Sequence, residues 1–356
     1  MIPKHIIDLE DLSVEDIRRI AENANAIRQK PQDYADACHG KIMATLFYEP
    51  STRTQMSFKT AMLRLGGTLI GFDNPNSSSV AKGESLKDTI TVVSGYADII
   101  AMRHPSEGAA KAASLYSHVP VINAGDGGHL HPTQTLTDIV TLYNERGSLE
   151  NMCIGLCGDL KNGRTVHSLI KTMSHFPNNR FILISTAELG VPQYIKDILN
   201  AAGCEYTEIS SLKEAIPYLD VLYMTRIQRE RFASEEDYQK QKGVYVLDRD
   251  KLQYGKKDLK ILHPLPRVDE IDYEIDEDER AKYFIQTVYG VYARMALIME
   301  LLKNPDHAQA PKLLSTHPAV CSNPRCITHS EPYLPHIFRE SGDMLLCNYC
   351  DGRTLI

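Results

Sequence analysis

Short apolar runs alternate with helical patterns along most of this chain, and this alternation restricts its fold more than any other feature. The segments between the runs place apolar residues at helical spacing, as at Phe58, Ala61 and Leu65. Strands that alternate with helices form a mainly parallel sheet covered on both faces. Because the 356 residues contain two such halves, we predict two doubly wound α/β domains. The runs of strand length are 41–48, 67–73, 97–102, 120–125, 152–158, 181–184, 220–225 and 259–262.

Composition narrows the class of protein. With 43% hydrophobic and 24% charged residues, the chain has the make-up of a soluble globular protein. No apolar run reaches the length that spans a bilayer. The net charge of −7 argues against general nucleic-acid binding. Because residues 1–8 lack the apolar core of a signal peptide, we expect a cytoplasmic protein without membrane or nucleic-acid partners.

Cationic side chains follow the predicted strands of both halves. In an open α/β sheet, ligands bind in the crevice beyond the carboxyl ends of the strands. An acidic chain that gathers cations there should bind anions, and we expect one substrate with a phosphate and one with carboxylates. The strand-end cations are Arg53, Arg103, His131, Arg164, Arg226 and His263.

The segment Ser51–Thr54 lies where the first predicted strand ends and a helix begins. Such a junction leaves backbone N–H groups without partners inside the helix, and the helix dipole adds positive potential. Three hydroxyl groups and the Arg53 guanidinium meet there, which suits a phosphate. An ordinary Ser or Thr cap beside a surface arginine is the alternative for this segment taken alone.

Seven stretches of the chain, taken in order, resemble the catalytic chain of the aspartate carbamoyltransferase family, over about residues 5–303. The resemblance implies the aspartate/ornithine carbamoyltransferase fold, with a carbamoyl phosphate-binding domain at 1–132, completed by a helix at 287–304, and an aspartate-binding domain at 133–286. The matching stretches are Ser51–Thr54, Met102–Pro105, Asn123–Gly127, His131–Gln134, Gly163–Ser168, Met224–Gln228 and His263–Arg267.

The resemblance also implies which residues bind the substrates and perform the chemistry. The family sends a Ser and a Lys into each site from a neighbouring subunit, here Ser78 and Lys82, although Ser77 and Ser79 compete for the role of Ser78. A shared site implies a homo-oligomer, either a trimer or a dimer of trimers. The implied carbamoyl phosphate site is Ser51, Thr52, Arg53, Thr54, Arg103, His131, Gln134, Leu265 and Pro266; the aspartate site is Lys82, Arg164, Arg226 and Gln228; and the catalytic residues are Arg53, Thr54, Arg103 and His131.

The implied reaction is attack of the aspartate amine on the carbonyl carbon of carbamoyl phosphate, in pyrimidine synthesis. It gives N-carbamoyl-L-aspartate and phosphate, and it requires positioning and charge stabilisation but no organic cofactor. Ornithine carbamoyltransferase is one alternative, although that relative usually carries Cys where this chain has Pro264. A catalytically dead scaffold of the same fold is the other.

The last part of the chain has a different character. A predicted linker, 305–311, leads into a segment, 312–356, that contains the pairs Cys321-x₄-Cys326 and Cys347-x₂-Cys350. Two close Cys pairs predict a closed Cys₄ site for one structural Zn²⁺. Free structural cysteines are the alternative. We expect the nearby histidines, His329 and His336, to be solvated or packing residues.

Residues 312–356 carry few basic side chains, which argues against a nucleic-acid-binding zinc ribbon. The stretch Cys321–Pro332 resembles the zinc domain of the aspartate carbamoyltransferase regulatory chain. We therefore expect this domain to pack against a catalytic domain of its own or a neighbouring chain. The other cysteines, Cys38, Cys153, Cys157 and Cys204, are predicted to be core hydrophobes.

Overall fold

The structure is a computed structural model that describes residues 2–227, 232, 234–303 and 316–355. The chain forms two compact units. The first unit comprises Met1–Leu136 and Val291–Ile356, and the second comprises Thr137–Gly290. The predicted linker, 305–311, lies outside the described residues. Among the helices of the described ranges, none has the length and apolar composition that a bilayer crossing requires.

The first unit contains a four-stranded parallel sheet in the order β2-β1-β3-β4. Its strands are β1 (Ile42–Phe47), β2 (Thr68–Phe72), β3 (Ile99–His104) and β4 (Val121–Asp126). The helices along this part of the chain are α1 (Val14–Gln29), α2 (Thr52–Arg64), α3 (Leu86–Val93), α4 (Ala109–Ser114) and α5 (Pro132–Arg146), the last of which continues into the second unit.

The second unit contains a five-stranded parallel sheet in the order β7-β6-β5-β8-β9. Its strands are β5 (Cys153–Cys157), β6 (Arg180–Ile184), β7 (Tyr206–Ile209), β8 (Val221–Met224) and β9 (Lys260–Leu262). The helices are α6 (Arg164–Met173), α7 (Gln193–Ala201), α8 (Leu212–Ala215), α9 (Glu235–Gln241), α10 (Arg249–Leu252) and α11 (Tyr283–Leu302), which ends in the first unit. The two parallel sheets confirm the predicted α/β class.

Local sequence signals account for where several elements begin. Helix α1 starts after Ser13, whose hydroxyl accepts a hydrogen bond from the Asp16 N–H, and the Asp16 carboxylate bonds back to the Ser13 N–H. Its apolar side, including Ile17 and Ile20, is buried. Helix α5 begins at Pro132, since proline favours the first position of a helix.

The prediction that Arg103 follows a strand is wrong in detail. Arg103 lies inside β3, because pairing of Phe47 with Arg103 extends the ladder between β1 and β3. The side chain is still at the carboxyl end of its strand. That end is where substrate contacts are expected in an open α/β sheet.

Each sheet has one point where the strand order reverses. In the first sheet it lies between β1 and β3, and in the second it lies between β5 and β8. Ligands of doubly wound sheets bind at the carboxyl ends of the strands on either side of this point. Each unit therefore has one sheet edge where a substrate site is expected.

The C-terminal residues fold into a small module with one short helix and three antiparallel strands. These are α12 (Ile327–Ser330), β10 (Phe338–Ser341), β11 (Met344–Cys347) and β12 (Arg353–Leu355). The module belongs to the first unit and packs on the N-terminal part of that unit. It buries Ile327, Leu334 and Ile337 in a cluster that also contains core residues of α3 and α4.

Candidate active site and metal centre

The Ser51 hydroxyl does not cap α2, although Ser51 occupies the N-cap position. The corresponding Ser13 and Ser85 hydroxyls both accept a hydrogen bond from their helices, α1 and α3. Helix α2 also lacks an acidic residue in its first turn, whereas α1 and α3 have one or more. The ordinary-cap interpretation therefore does not fit Ser51. A helix N-terminus without acidic neighbours favours an anion.

Two guanidinium groups lie near this helix start. Arg103 Nε donates to Glu49 Oε1 at 2.7 Å, which fixes the side chain at the end of β3. Partial burial lowers the pKa of Arg53, and the neighbouring Arg103 charge lowers it further. The two cations repel each other, so a bound anion would relieve that repulsion.

Thr54, Arg103 and His131 come together around Gly125. Thr54 Oγ1 lies 3.4 Å from His131 Nε2. Gly125 has a φ of +125°, and a Cβ there would lie 2.9 Å from Arg103 Nη1 and 3.6 Å from His131 Cδ2. Only glycine leaves room for both side chains to approach the backbone this closely. Three of the predicted catalytic residues are thus neighbours, and Gln134 is half-buried in the first turn of α5.

The loop after β2 carries the two residues predicted to enter a neighbouring site. The Ser78 hydroxyl donates to the Pro75 carbonyl oxygen at 2.8 Å and accepts from the Val80 N–H at 3.3 Å. Lys82 is exposed, as are Ser77 and Ser79. Within one chain the Ser78 hydroxyl is thus committed to its own turn. Its role toward a neighbouring subunit stays a prediction.

The second unit places Arg164 and Arg226 at one edge of its sheet. Arg164 is the first residue of α6, which follows β5, and Arg226 follows β8. The Thr225 N–H and hydroxyl both donate to the Cys157 carbonyl oxygen, at 2.8 Å and 3.1 Å. Because β5 and β8 are the strands at the reversal point, both arginines belong to the expected substrate edge. Gln228 lies outside the described residues.

His263 is not a cation of the crevice, and that expectation is wrong. Its ring is buried; Nδ1 accepts the Leu265 N–H at 2.8 Å, and Nε2 donates to Glu270 Oε1 at 2.6 Å. A ring that accepts through one nitrogen and donates through the other is neutral. Burial would raise the pKa of Glu270, but hydrogen bonds from His263 and the backbone hold it below its ordinary value. The pair shapes the loop that presents Leu265 and Pro266.

The four cysteines of the C-terminal module form one buried cluster. Their Sγ atoms all lie within 4.8 Å of one another, with Cys321 and Cys350 at 3.6 Å and Cys326 and Cys347 at 3.8 Å. A tetrahedral site with Zn–S bonds of about 2.3 Å requires S···S separations of roughly 3.8 Å. A Cβ at Gly352 would lie 3.1 Å from Cys350 Sγ and 3.2 Å from Cys321 Sγ. The donor set therefore fits a metal ion.

Histidines stand outside this cluster, as predicted. Among the described residues the cluster consists of the four cysteines and contains neither His329 nor His336. His329 Nε2 instead donates to the Cys321 carbonyl oxygen at 2.9 Å. The Thr328 hydroxyl donates to Cys326 Sγ at 3.2 Å, which stabilises negative charge on that sulfur.

Glu107 is a docking point of the module that the sequence did not reveal. Its N–H donates to the Arg325 carbonyl oxygen and its own carbonyl oxygen accepts the Ile327 N–H, both at 2.9 Å. Its buried carboxylate pairs with Arg325 at 3.0 Å and with Asn323 Nδ2 at 2.6 Å. At Gly108, a Cβ would lie 2.6 Å from the Tyr349 backbone. A buried acid separated from its partners by over 200 residues leaves no local sequence signal.

Three family models match the chain. Residues 4–144 match the carbamoyl-P binding domain of aspartate/ornithine carbamoyltransferase, and residues 150–301 match the Asp/Orn binding domain. Residues 319–354 match the metal binding domain of the aspartate carbamoyltransferase regulatory chain.

Individual relatives agree with these matches. The aspartate carbamoyltransferase catalytic subunit of Clostridium perfringens (strain ATCC 13124) is 60% identical over 300 residues, 84% of this chain and 98% of the relative. The catalytic subunit of M. jannaschii aspartate transcarbamoylase superposes with a TM-score of 0.80 at 49% identity, over 85% of this chain and 98% of that one. Aspartate transcarbamoylase from Trypanosoma cruzi, in complex with N-(phosphonacetyl)-L-aspartic acid, superposes with a TM-score of 0.78 at 37% identity, over 83% of this chain and 94% of that one. The chain therefore belongs to the aspartate/ornithine carbamoyltransferase family, as an aspartate carbamoyltransferase catalytic chain that also carries the metal-binding domain of the regulatory chain.

Proposed function

We propose that the chain transfers the carbamoyl group of carbamoyl phosphate to the amine of L-aspartate, giving N-carbamoyl-L-aspartate and phosphate for pyrimidine synthesis. The observation that carries the proposal is the grouping of Thr54, Arg103 and His131 beside a helix start whose serine does not cap it. The 60% identity to catalytic subunits supports the same substrates. A carbamoyl-transfer assay with aspartate and ornithine in parallel tests it. Activity with ornithine alone, or with neither, would overturn it.

In this mechanism most residues of the carbamoyl phosphate site belong to the first unit. Ser51, Thr52 and Arg53 hold the phosphate group at the start of α2. Thr54, Arg103 and His131 donate to the carbonyl oxygen, which gains negative charge as the amine attacks. One such donor is typically worth about 10²–10³-fold in rate. The catalytic residues are therefore Arg53, Thr54, Arg103 and His131, and the carbamoyl phosphate site is completed by Gln134, Leu265 and Pro266.

The second substrate is recognised through its two carboxylates. Arg164, Arg226 and Gln228 of one chain, with Lys82 of a neighbouring subunit, bind aspartate. The cationic side chain of ornithine would meet like charges at Arg226 and Lys82, which disfavours that substrate. No covalent intermediate is needed, because the neutral amine is the nucleophile and phosphate is the leaving group. The leaving phosphate accepts the amine proton.

Arg226→Ala should raise the KM for aspartate at least tenfold and change the KM for carbamoyl phosphate less than twofold. A charge-assisted hydrogen bond is worth roughly 1.5–3 kcal/mol, and tenfold in binding corresponds to about 1.4 kcal/mol. Steady-state kinetics with each substrate varied in turn measures both constants. Lys242→Ala, in the same unit but away from the strand ends, serves as the control. Equal effects on both substrates would count against this division of the site.

Active sites should be shared between subunits. We expect Lys82→Ala and Arg53→Ala proteins to be inactive separately and to regain part of the activity after their subunits are mixed. The reason is that some interfaces then combine an intact Lys82 loop with an intact Arg53 site. Labelled subunits verify the exchange. If verified exchange restores no activity, Lys82 acts within its own chain.

The assembly and the domain limits are part of the proposal. The chain forms a homo-oligomer, a trimer or a dimer of trimers, as a shared site requires. The two compact units support a carbamoyl phosphate domain at 1–132, completed by the helix at 287–304, and an aspartate domain at 133–286. The four-cysteine cluster supports a metal domain at 312–356.

The metal is one structural Zn²⁺ per chain. Four thiolates in tetrahedral arrangement select zinc among the common divalent ions, and four protein ligands leave no open position for chemistry. The protein is cytoplasmic, a location supported by its eight cysteines, none of which forms a disulfide. The reaction uses no organic cofactor.

A further inference from the structure

His129 links the metal-binding module to a loop of the active site. Its Nδ1 lies 3.0 Å from Asp126 Oδ2, and its Nε2 lies 3.0 Å from Asp351 Oδ2. Burial would lower the pKa of His129, but its hydrogen bonds to the two carboxylates raise it to about 10. The ring is therefore an imidazolium that donates from both nitrogens. One carboxylate belongs to the end of β4 and the other to the module, 222 residues from His129.

The loop that carries His129 also carries His131. It runs from the end of β4 to the start of α5 and is closed by Asp126, whose Oδ1 accepts the Leu130 N–H at 2.9 Å. Asp126 Oδ2 also accepts the Gly108 N–H at 2.8 Å, beside the segment on which the module docks. Asp126 therefore holds the loop at Leu130 and also binds the docking segment at Gly108. His131 follows Leu130 in the chain and contacts Thr54 in the site.

Two contacts within the module hold its end of the bridge, where the Asp351 side chain is half-exposed. Asp351 follows the metal-cluster residue Cys350, and its other carboxylate oxygen accepts from Arg339 at 2.8 Å. Its N–H donates to the Cys347 carbonyl oxygen at 2.9 Å. A carboxylate held in this way fixes the direction of the His129 ring and, through Asp126, the backbone that leads to His131.

We propose that Asp351 of the metal-binding module and His129 are positioning residues for His131. The bridge holds the loop 126–131 so that the His131 ring donates to the carbonyl oxygen of carbamoyl phosphate. The proposal rests on the proposed role of His131 in the carbamoyl transfer. It gives the module a part in the chemistry of its own chain, beyond its part in folding.

The test compares two bridge variants with a control on the same interface. His129→Gln and Asp351→Asn remove one end of the bridge each. Arg325→Gln removes the ion pair with Glu107, which also docks the module but involves neither His129 nor Asp351. The full-length proteins are compared by zinc content, oligomer size, melting temperature, kcat and the KM for both substrates.

We expect each bridge variant to lower kcat by roughly 10- to 100-fold, the range that a small misplacement of a reacting group costs, with the KM for aspartate changed less than twofold. The double variant should lose no more than the single ones, because both remove one bridge. Arg325→Gln should keep kcat within twofold, while it lowers the melting temperature at least as much as the bridge variants do. Zinc content and oligomer size should be unchanged in all variants.

Two results would overturn the proposal. One is a normal kcat in His129→Gln with zinc and oligomer intact. The other is an equal loss of kcat in Arg325→Gln, which would mean that docking in general supports activity and the bridge does not. His131→Ala in the same assay separates this from the proposed function. If that variant stays active, the role of His131 fails, whatever the bridge variants do.

Discussion

Replacing Arg53 with alanine should abolish carbamoyl transfer and leave the fold intact. The side chain stands at the start of α2 beside Arg103, and it is only partly buried, so its loss creates no closed cavity. A bidentate contact to phosphate is worth roughly 1.5–3 kcal/mol in binding, and misalignment of the carbonyl group costs about 10²-fold more in rate. We expect kcat to fall at least 10³-fold. Initial rates at saturating carbamoyl phosphate and circular dichroism measure the two properties.

Arg64→Ala is the matched control, because Arg64 lies at the other end of α2, over the Tyr292 ring. It should retain activity within twofold. Arg53→Lys keeps the charge but lacks the planar fork, so it should recover only part of the rate. Near-normal turnover of Arg53→Ala at saturating carbamoyl phosphate would remove the phosphate site from the start of α2.

Cys347→Ser should release the metal and unfold the C-terminal module. Binding of structural zinc contributes about 10–16 kcal/mol in finger peptides, which exceeds what so small a core supplies by itself. Undocking would also leave the Glu107 carboxylate without Arg325 and Asn323. We expect metal analysis to find no bound zinc and calorimetry to show a melting temperature at least 10 °C lower.

The activity of this variant should fall to the level of His129→Gln and no lower, because the catalytic residues themselves lie outside the module. Cys204→Ser serves as the control; its thiol donates to the Ser174 carbonyl oxygen in the second unit and should not affect the metal. A Cys347→Ser protein with unchanged oligomer size and melting temperature would show that the module contributes nothing to stability.

The sequence was most informative where the cause of a structure is local. Alternating apolar runs predicted the two parallel sheets, and the Ser13 cap and Pro132 are signals within one turn of their helices. Short elements such as β7 and α8 escaped prediction, because four residues carry too little periodicity. The extension of β3 through Arg103 depends on pairing with Phe47, a partner 56 positions earlier in the chain.

The candidate site shows the same contrast between residues that local sequence predicts and residues whose role depends on distant partners. Residue type and strand-end position predicted Arg53, Arg103 and His131 as candidates for the site without a structure. The same rule misassigned His263, whose character depends on Glu270 and on the Leu265 N–H. The bridge from Asp351 to His129 could not be predicted, because only the folded chain brings the two residues together.

The docking of the module on its own chain determines how the bridge between Asp351 and His129 responds to dilution. Undocking of a covalently joined module is a unimolecular event, and short linkers hold their partners at effective concentrations on the order of millimolar. A separate subunit that binds with a micromolar Kd would dissociate from its partner at nanomolar protein concentrations. Here module and docking surface dilute together, so the loop from Asp126 to His131 keeps its contact with Asp351 at any protein concentration.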